Sequence, residues 1–209
     1  MLLQSQSDLQ LCHDTLFLAV NIIDRYSTKI FIRWKGVELL CGVALLIASK
    51  YMDQRNRIPS IHQKGWLLYE TTQQQVFDME RNILDALEHL IGSPTPYEFF
   101  HLGLLHHERT KEVENMALYV CKLTLFYGEF VSIPCSIIAK AAVAITRLAL
   151  KLPPQPILEP HIKKVYPVLV CIFKKLNQVP EILFAEYSRP ENSSVALTLD
   201  QCLRRSVVS

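Results

Sequence analysis

The chain has 209 residues, of which 50% are hydrophobic, and its 22 basic and 20 acidic residues leave a formal net charge of +2. This much apolar material can form a sizeable core, which excludes disorder over most of the length, and the balanced charge excludes a general preference for nucleic acid or anionic membranes. The six cysteines are scattered singly without a CxxC pair, which favours buried thiols in a reducing compartment over a disulfide framework or a zinc site.

The first strong helical pattern, DTLFLAVNIIDRYS over residues 14–27, places Leu16, Ala19 and Tyr26 on one stripe. Asp14 is the predicted N-cap, because a carboxylate before an apolar helix accepts backbone N–H groups. We therefore expect an amphipathic helix here, with its apolar stripe facing the core.

The next predicted helix, over residues 34–52, contains the apolar stretch LLCGVALLIASKY. A membrane-spanning helix needs about 20 consecutive apolar residues, whereas this run is interrupted by Lys50. The start of the chain also lacks the basic region of a secretory signal, so we expect a soluble intracellular protein. A helix that is apolar on all sides is expected to be the buried centre of a bundle.

A short helix is predicted over residues 59–66, beginning at a proline, and a longer one over residues 71–91. Thr71 or Thr72 is the expected N-cap of the longer helix, and we expect Leu90 to face inward with the apolar residues that precede it. The segment GSPTP then breaks the pattern, as glycine followed by two prolines does.

The second half repeats this order, since an amphipathic helix again precedes an Ala-rich apolar one, AKAAVAITR. The predicted fold class is all-α, with an N-terminal domain over residues 1–93, a second domain over 94–186, and a loose tail over 187–209. HIKK and FKKLNQ give the last long helix before that tail a modest basic face. A solvated face is the default interpretation, and binding of phosphate or an acidic partner is the alternative.

The landmarks LAVNIIDR, ASKY, DMERNIL and IGSPTPYEFF, in this order and spacing, resemble the cyclin box. The resemblance covers at least residues 11–100, and the second half looks like the C-terminal cyclin-fold repeat. KYMDQRNRIPS and IGSPTPYEFF look most like fungal G1-type cyclins. The resemblance implies a tandem fold of about five helices per module, with the first helix incomplete here.

Cyclins are non-catalytic activators that bind a cyclin-dependent kinase beside its regulatory C-helix, and this is the partner that the resemblance implies. The implied kinase-binding residues are Lys50 and Tyr51 of the ASKY motif and Glu80 of the ME motif. Glu80 has a second interpretation, as the salt-bridge partner of Lys50 in the free protein. The resemblance also implies that Asp24 pairs with an arginine of the preceding helix, as a structural contact.

In the family, a hydrophobic groove docks peptides of substrates and inhibitors. Half of this groove corresponds here to Trp34, Val37 and Glu38. The family further implies a nuclear and cytoplasmic location and a role in G1 or at the G1/S transition.

No catalytic residue, cofactor or metal is expected. The sequence has no GxSxG, P-loop or GxGxxG motif. The adjacent His106 and His107 point to different faces of a helix and have no further ligands at suitable spacing. The functional alternative is a cyclin-fold adaptor that binds no kinase, similar to a transcription factor. The absence of a basic stripe argues against nucleic acid as its partner.

Overall fold

The computed structural model describes residues 1–60, 71–104, 110–153 and 159–208, and over these residues it contains ten α-helices and no strand. The predicted all-α class is confirmed. The chain divides into two compact units, residues 1–94 and 95–209, and the predicted boundary after residue 93 lies beside this division. No described helix is long and apolar enough to cross a membrane. Residues 61–66 of the predicted short helix lie outside the described residues.

The first unit is built around one buried helix. Helix α3 (Val37–Met52) is buried over residues 42–49 and packs against its neighbours α2 (His13–Lys29) and α4 (Gln73–Ala86). Small side chains in this run allow neighbouring helices to approach closely, and the predicted central helix is confirmed. The predicted start at Trp34 belongs to a 3₁₀ turn, and the α-helix itself begins at Val37. The helices of this unit are α1 (Leu2–Asp8), α2 (His13–Lys29), α3 (Val37–Met52) and α4 (Gln73–Ala86).

The N-terminus of α2 is held by a carboxylate from another helix end. The predicted N-cap, Asp14, is wrong, because the N-cap position is occupied by Cys12. The Cys12 N–H donates to Asp53 Oδ1 at 2.8 Å, and the Thr15 hydroxyl donates to Asp53 Oδ2. Asp53 directly follows α3, so it joins the start of α2 to the end of α3.

Helix α4 begins with a capping box and ends in a sharp turn. The Thr72 hydroxyl accepts the Gln75 N–H, and the Gln75 side chain accepts the Thr72 N–H. The inward position predicted for Leu90 is wrong, since its side chain is 66% exposed. The helix ends at Ala86, and Glu88 and His89 take positive φ angles of 54° and 60°. This left-handed turn ends the helical periodicity that placed Leu90 inside.

The second unit is centred on helix α7 (Cys135–Ala149). It packs against α5 (Pro96–Leu104), α6 (Lys111–Thr124) and α8 (Glu159–Lys175). The loose tail predicted over residues 187–209 is wrong. This segment contains helix α10, whose Val195, Ala196 and Leu199 are buried. The apolar residues of α10 come directly after the irregular sequence SRPENSS. That sequence has no helical period, so the sequence pattern did not predict the helix. The helices of this unit are α5 (Pro96–Leu104), α6 (Lys111–Thr124), α7 (Cys135–Ala149), α8 (Glu159–Lys175), α9 (Glu181–Tyr187) and α10 (Val195–Val208).

Candidate functional site

Lys50 marks the point where the buried central helix reaches solvent. Ser49 is fully buried, and its hydroxyl donates to the Leu46 carbonyl at 2.8 Å. The next side chain, Lys50, is 44% exposed in the last turn of α3. A cation at this end is favoured by the helix dipole. The position follows from the sequence, because Lys50 ends the apolar run.

Lys50 and Glu80 form an ion pair between α3 and α4. Lys50 Nζ lies 2.6 Å from Glu80 Oε1. The Glu80 side chain is only 16% exposed, whereas that of Lys50 is 44% exposed. The structure therefore brings the two predicted residues together and shows the salt bridge expected as the second interpretation of Glu80. The Lys50 ammonium has further hydrogens to donate and the Glu80 carboxylate has a second acceptor oxygen, and the pair links α3 to α4.

Tyr51 extends this site as an exposed aromatic ring. Its side chain is 59% exposed, and its hydroxyl end lies against Gly92. A Cβ atom placed on Gly92 would be only 2.5 Å from the Tyr51 hydroxyl oxygen and 3.1 Å from Cζ. Glycine at position 92 thus makes room for the ring, which fixes where the aromatic surface lies beside Lys50.

The outer side of α4 continues the site as a shallow, open groove of about 600 Å³. Phe77, Glu80, Arg81 and Leu84 are among the residues that line it. Phe77 is 45% exposed and lies one turn before Glu80. Phe77 was not among the residues predicted from the sequence. Its neighbour Val76 belongs to the buried stripe of α4, so the helical period indicates that Phe77 itself lies outside that stripe. Phe77 therefore adds exposed aromatic surface one turn from Glu80.

Two cations of α2 hold the turn after α4 in position. An Arg25 guanidinium N–H donates to the Leu90 carbonyl at 2.6 Å, and Lys29 Nζ donates to the Ala86 carbonyl at 2.7 Å. Lys29 Nζ also lies 3.6 Å from a Glu88 carboxylate oxygen. The Lys29 contact satisfies a carbonyl that the end of α4 leaves open, and the Arg25 contact holds the segment that leads to Gly92.

The pairing expected for Asp24 is not seen among the described residues. No ion pair of Asp24 occurs in this part of the chain, and burial raises the pKa of its carboxyl above the usual value. Burial has this effect because it disfavours the charged form.

The proposed docking residues lie at the opposite end of α3 from Lys50. Trp34 is 87% exposed in the 3₁₀ turn before the helix. Val37 is half-buried and Glu38 is exposed in the first turn. Phe31, which the sequence analysis did not select, is 90% exposed in the same loop. The structure thus gathers two exposed aromatic rings near Val37 and Glu38.

The described residues contain no group of three or more side chains arranged to hold a metal ion. His106 and His107 lie outside the described residues.

Comparison with known proteins gives a consistent assignment for both units. The profile of the cyclin N-terminal domain matches residues 1–92, and that of the cyclin C-terminal domain matches residues 94–196. The two matches together take in nearly the whole chain. Such a pair of all-helical units, each matching a cyclin domain, defines a tandem cyclin fold. The chain belongs to the cyclin family, whose members are regulatory subunits and not enzymes.

Individual relatives come from several cyclin types. The chain is 30% identical to the G1/S-specific cyclin CCN1 of Candida albicans over 174 residues, which cover 73% of this chain and 25% of that protein. It is 30% identical to the G2/mitotic-specific cyclin-1 of Antirrhinum majus over 208 residues, 94% of this chain and 43% of the relative. It is 32% identical to cyclin-B2-2 of Arabidopsis thaliana over 146 residues, 68% of this chain and 33% of the relative. The chain thus spans less than half the length of each of these relatives.

Proposed function

We propose that this chain binds a cyclin-dependent protein kinase and activates it as a regulatory subunit. The observation that carries the proposal is the Lys50–Glu80 ion pair at the exposed end of the buried helix. The residues that the cyclin resemblance assigns to kinase binding are thereby adjacent in space. The family assignment of both units supports the same conclusion.

The site has the chemistry of a protein interface that fixes register. The Lys50 ammonium offers donors to kinase backbone carbonyls, and the Glu80 carboxylate offers an acceptor to backbone N–H groups. Tyr51, next to Lys50, and Phe77, one turn from Glu80, provide exposed apolar area, and aromatic residues are enriched at interface centres. Contact at this surface would hold the kinase C-helix inward, so that the catalytic Lys–Glu ion pair of the kinase forms.

The proposed role is in G1 or at the G1/S transition, acting in the nucleus and cytoplasm. The similarity to a G1/S-specific cyclin supports this timing, while relatives named as mitotic match equally well. Kinase activity bound to the chain in synchronised cells should peak before DNA replication. A peak at mitosis would contradict the proposed timing but not the proposal that the chain binds a kinase.

We further propose that Trp34, Val37 and Glu38 contribute to docking peptides of substrates or inhibitors. The exposure of Trp34 supports this role. Trp34→Ala should then reduce phosphorylation of docked substrates, while histone phosphorylation stays unchanged.

The experiment that tests kinase activation is co-purification with a cyclin-dependent kinase, scored by histone phosphorylation. Lys50→Glu and Glu80→Lys should each lower binding at least about tenfold. The double variant restores opposite charges within the chain but presents them to the wrong kinase groups, so it should remain inactive. Arg204→Glu is the matched control, because it breaks the exposed Asp200–Arg204 ion pair in the other unit.

Circular dichroism shows whether each variant is folded. If the wild-type chain binds no kinase, or if folded variants at positions 50 and 80 activate it fully, kinase activation is wrong. The cyclin-fold adaptor without kinase binding then becomes the function to pursue.

A further inference from the structure

Helix α8 carries apolar side chains on the side that faces away from its core. Val165, Val168 and Ile172 are 2%, 7% and 0% exposed, and their spacing of three and four residues makes one buried stripe. Ile162 and Tyr166, by contrast, are 47% and 66% exposed and lie one turn apart. A helix that only needs to cover a core exposes polar residues on its outer side, so these two residues call for a separate explanation.

Helix α8 is also positively charged. Lys163, Lys164 and Lys174 are exposed, and the helical spacing places Lys163 and Lys174 on the same side as Tyr166. Lys175 is half-buried, and its Nζ lies 2.5 Å from a Glu129 carboxylate oxygen. The only acidic residue of α8 is its first, Glu159. Four lysines and one glutamate give α8 a positive charge in a chain whose net charge is only +2.

The cations bracket the apolar residues along the helix axis. Lys163 and Lys174 are eleven positions apart in the sequence, which corresponds to about 16 Å along an α-helix. Tyr166 and the half-buried Val170 lie between them on the same side. We define the α8 outer face as the surface formed by Ile162, Lys163, Tyr166, Val170 and Lys174.

A proline lies beside this surface. Pro167 is inside the helix and is exposed. It has no N–H, so it cannot donate to the Lys163 carbonyl one turn earlier. That carbonyl therefore lacks its usual intrahelical donor and can accept a hydrogen bond from outside the helix.

We propose that the α8 outer face docks an acidic, amphipathic helix of a protein partner. Apolar side chains of that helix would cover Ile162, Tyr166 and Val170, and its carboxylates would meet Lys163 and Lys174. The surface is a ridge along a helix, which a second helix covers by packing its own side chains alongside. An extended peptide would need a sheet edge or a groove for its backbone.

A membrane surface is the weaker occupant for this face. A helix that lies in a lipid interface buries its main apolar side in the bilayer, whereas Val165, Val168 and Ile172 of α8 are buried in the protein. The attraction of a few lysines to an anionic leaflet adds only weakly to membrane binding. The remaining apolar area, two exposed side chains, is small for insertion.

This proposal goes beyond kinase activation and uses different residues, because Lys50 and Glu80 belong to the first unit. The test uses the full chain and a fluorescein-labelled helical peptide about five turns long. Leucines form one side of the peptide and glutamates flank them. A second peptide has lysine in place of every glutamate. Binding is measured by fluorescence polarisation at about 50 and about 300 mM NaCl.

The acidic peptide should bind saturably and the lysine peptide should not. Tyr166→Ala, and Lys163→Glu combined with Lys174→Glu, should each weaken binding at least about tenfold. Lys111→Glu is the matched control, since it reverses an exposed cation at the start of α6, and it should leave binding unchanged. Circular dichroism confirms folding of each variant.

Three results would overturn the proposal. The first is the absence of saturable binding of the acidic peptide. The second is an equal loss of binding in Lys111→Glu, which would show general charge attraction. The third is binding to phosphatidylcholine vesicles that contain phosphatidylserine, sensitive to Tyr166→Ala, without binding of the peptide. A lipid surface would then be the occupant.

Discussion

The Tyr51 ring occupies the space that a side chain at residue 92 would fill, since a Cβ there would lie 2.5 Å from the Tyr51 hydroxyl oxygen. Gly92 belongs to the segment that follows α4, and Tyr51 is in the last turn of α3. The Tyr51 ring of the proposed kinase site is therefore positioned by Gly92, a residue outside α3.

We expect Gly92→Ala to displace Tyr51 and weaken kinase binding about tenfold. The ring end is exposed and can swing away, so the free energy of unfolding should change by less than about 1 kcal/mol. Binding is measured by titration with a purified cyclin-dependent kinase. Adding Tyr51→Phe removes the closest atom and should recover part of the affinity. Unchanged binding in Gly92→Ala would show that the position of Tyr51 does not matter.

The buried Lys122 gives a stability prediction in the second unit. Its side chain is 0% exposed, and its Nζ lies 3.0 Å from Glu186 Oε1. Burial lowers the pKa of Lys122, and the contact with Glu186 opposes that shift. Glu186→Ala should therefore cost about 3 kcal/mol, because it removes the counter-charge of a buried cation.

The pH dependence of this loss has a definite sign. Without Glu186, the folded protein disfavours protonated Lys122 more strongly, so the loss is full at neutral pH and shrinks as rising pH deprotonates the lysine. Urea denaturation of the wild type and of Glu186→Ala, at several pH values from neutral to alkaline, measures this loss of unfolding free energy. Arg204→Met, which removes an exposed ion pair in the same unit, is the control and should leave the midpoint nearly unchanged. A loss that stays constant with pH would contradict this account of Lys122.

The charged carboxylate of Asp24 should destabilise the folded protein at neutral pH. Burial raises the pKa of this carboxyl, so the folded state binds a proton more tightly than the unfolded state does. The stability linked to this proton is complete at acidic pH below the ordinary carboxyl pKa and is lost as pH rises through the raised value.

Asp24→Asn should thus raise the melting temperature at pH 7, and the gain should shrink in acid. Differential scanning calorimetry at several pH values measures it, with the exposed Asp85→Asn as control. A lower melting temperature in Asp24→Asn would mean that the carboxylate makes a favourable contact instead.

The capping box of α4 predicts a difference between two adjacent threonines. Thr72→Ala removes the acceptor of the Gln75 N–H and should cost about 1 kcal/mol. Thr71→Ala should have a smaller effect, since Thr71 lies outside the capping box. Urea denaturation of the two variants side by side decides the matter. Equal losses would argue against the capping role of Thr72.

Local patterns in the sequence predicted the helices and their buried sides well. The all-round apolar run of α3 predicts a buried central helix, because every face of such a helix must avoid water. The charge of Lys50 predicts where that helix reaches solvent. Thr71 and Thr72 both satisfied the cap pattern, and only the geometry of the helix start selected Thr72.

The errors occurred where a distant residue or a turn decides the structure. Asp14 has the right chemistry for a cap, but Cys12 occupies the N-cap position, and Asp53, 41 positions further along the chain, accepts the Cys12 N–H. Leu90 fits the helical period, but the left-handed turn at Glu88 and His89 directs it to solvent.

The sequence by itself determined the helical class, the central helix and the identity of Lys50 and Glu80 as candidates, because hydrophobic periodicity and short motifs are properties of neighbouring residues. The tertiary structure decided that Lys50 pairs with Glu80, that Tyr51 rests on Gly92, and that α8 exposes Tyr166 between lysines. These relationships join residues far apart in the chain or depend on which side of a helix the core covers. Packing sets both, and no local pattern contains that information.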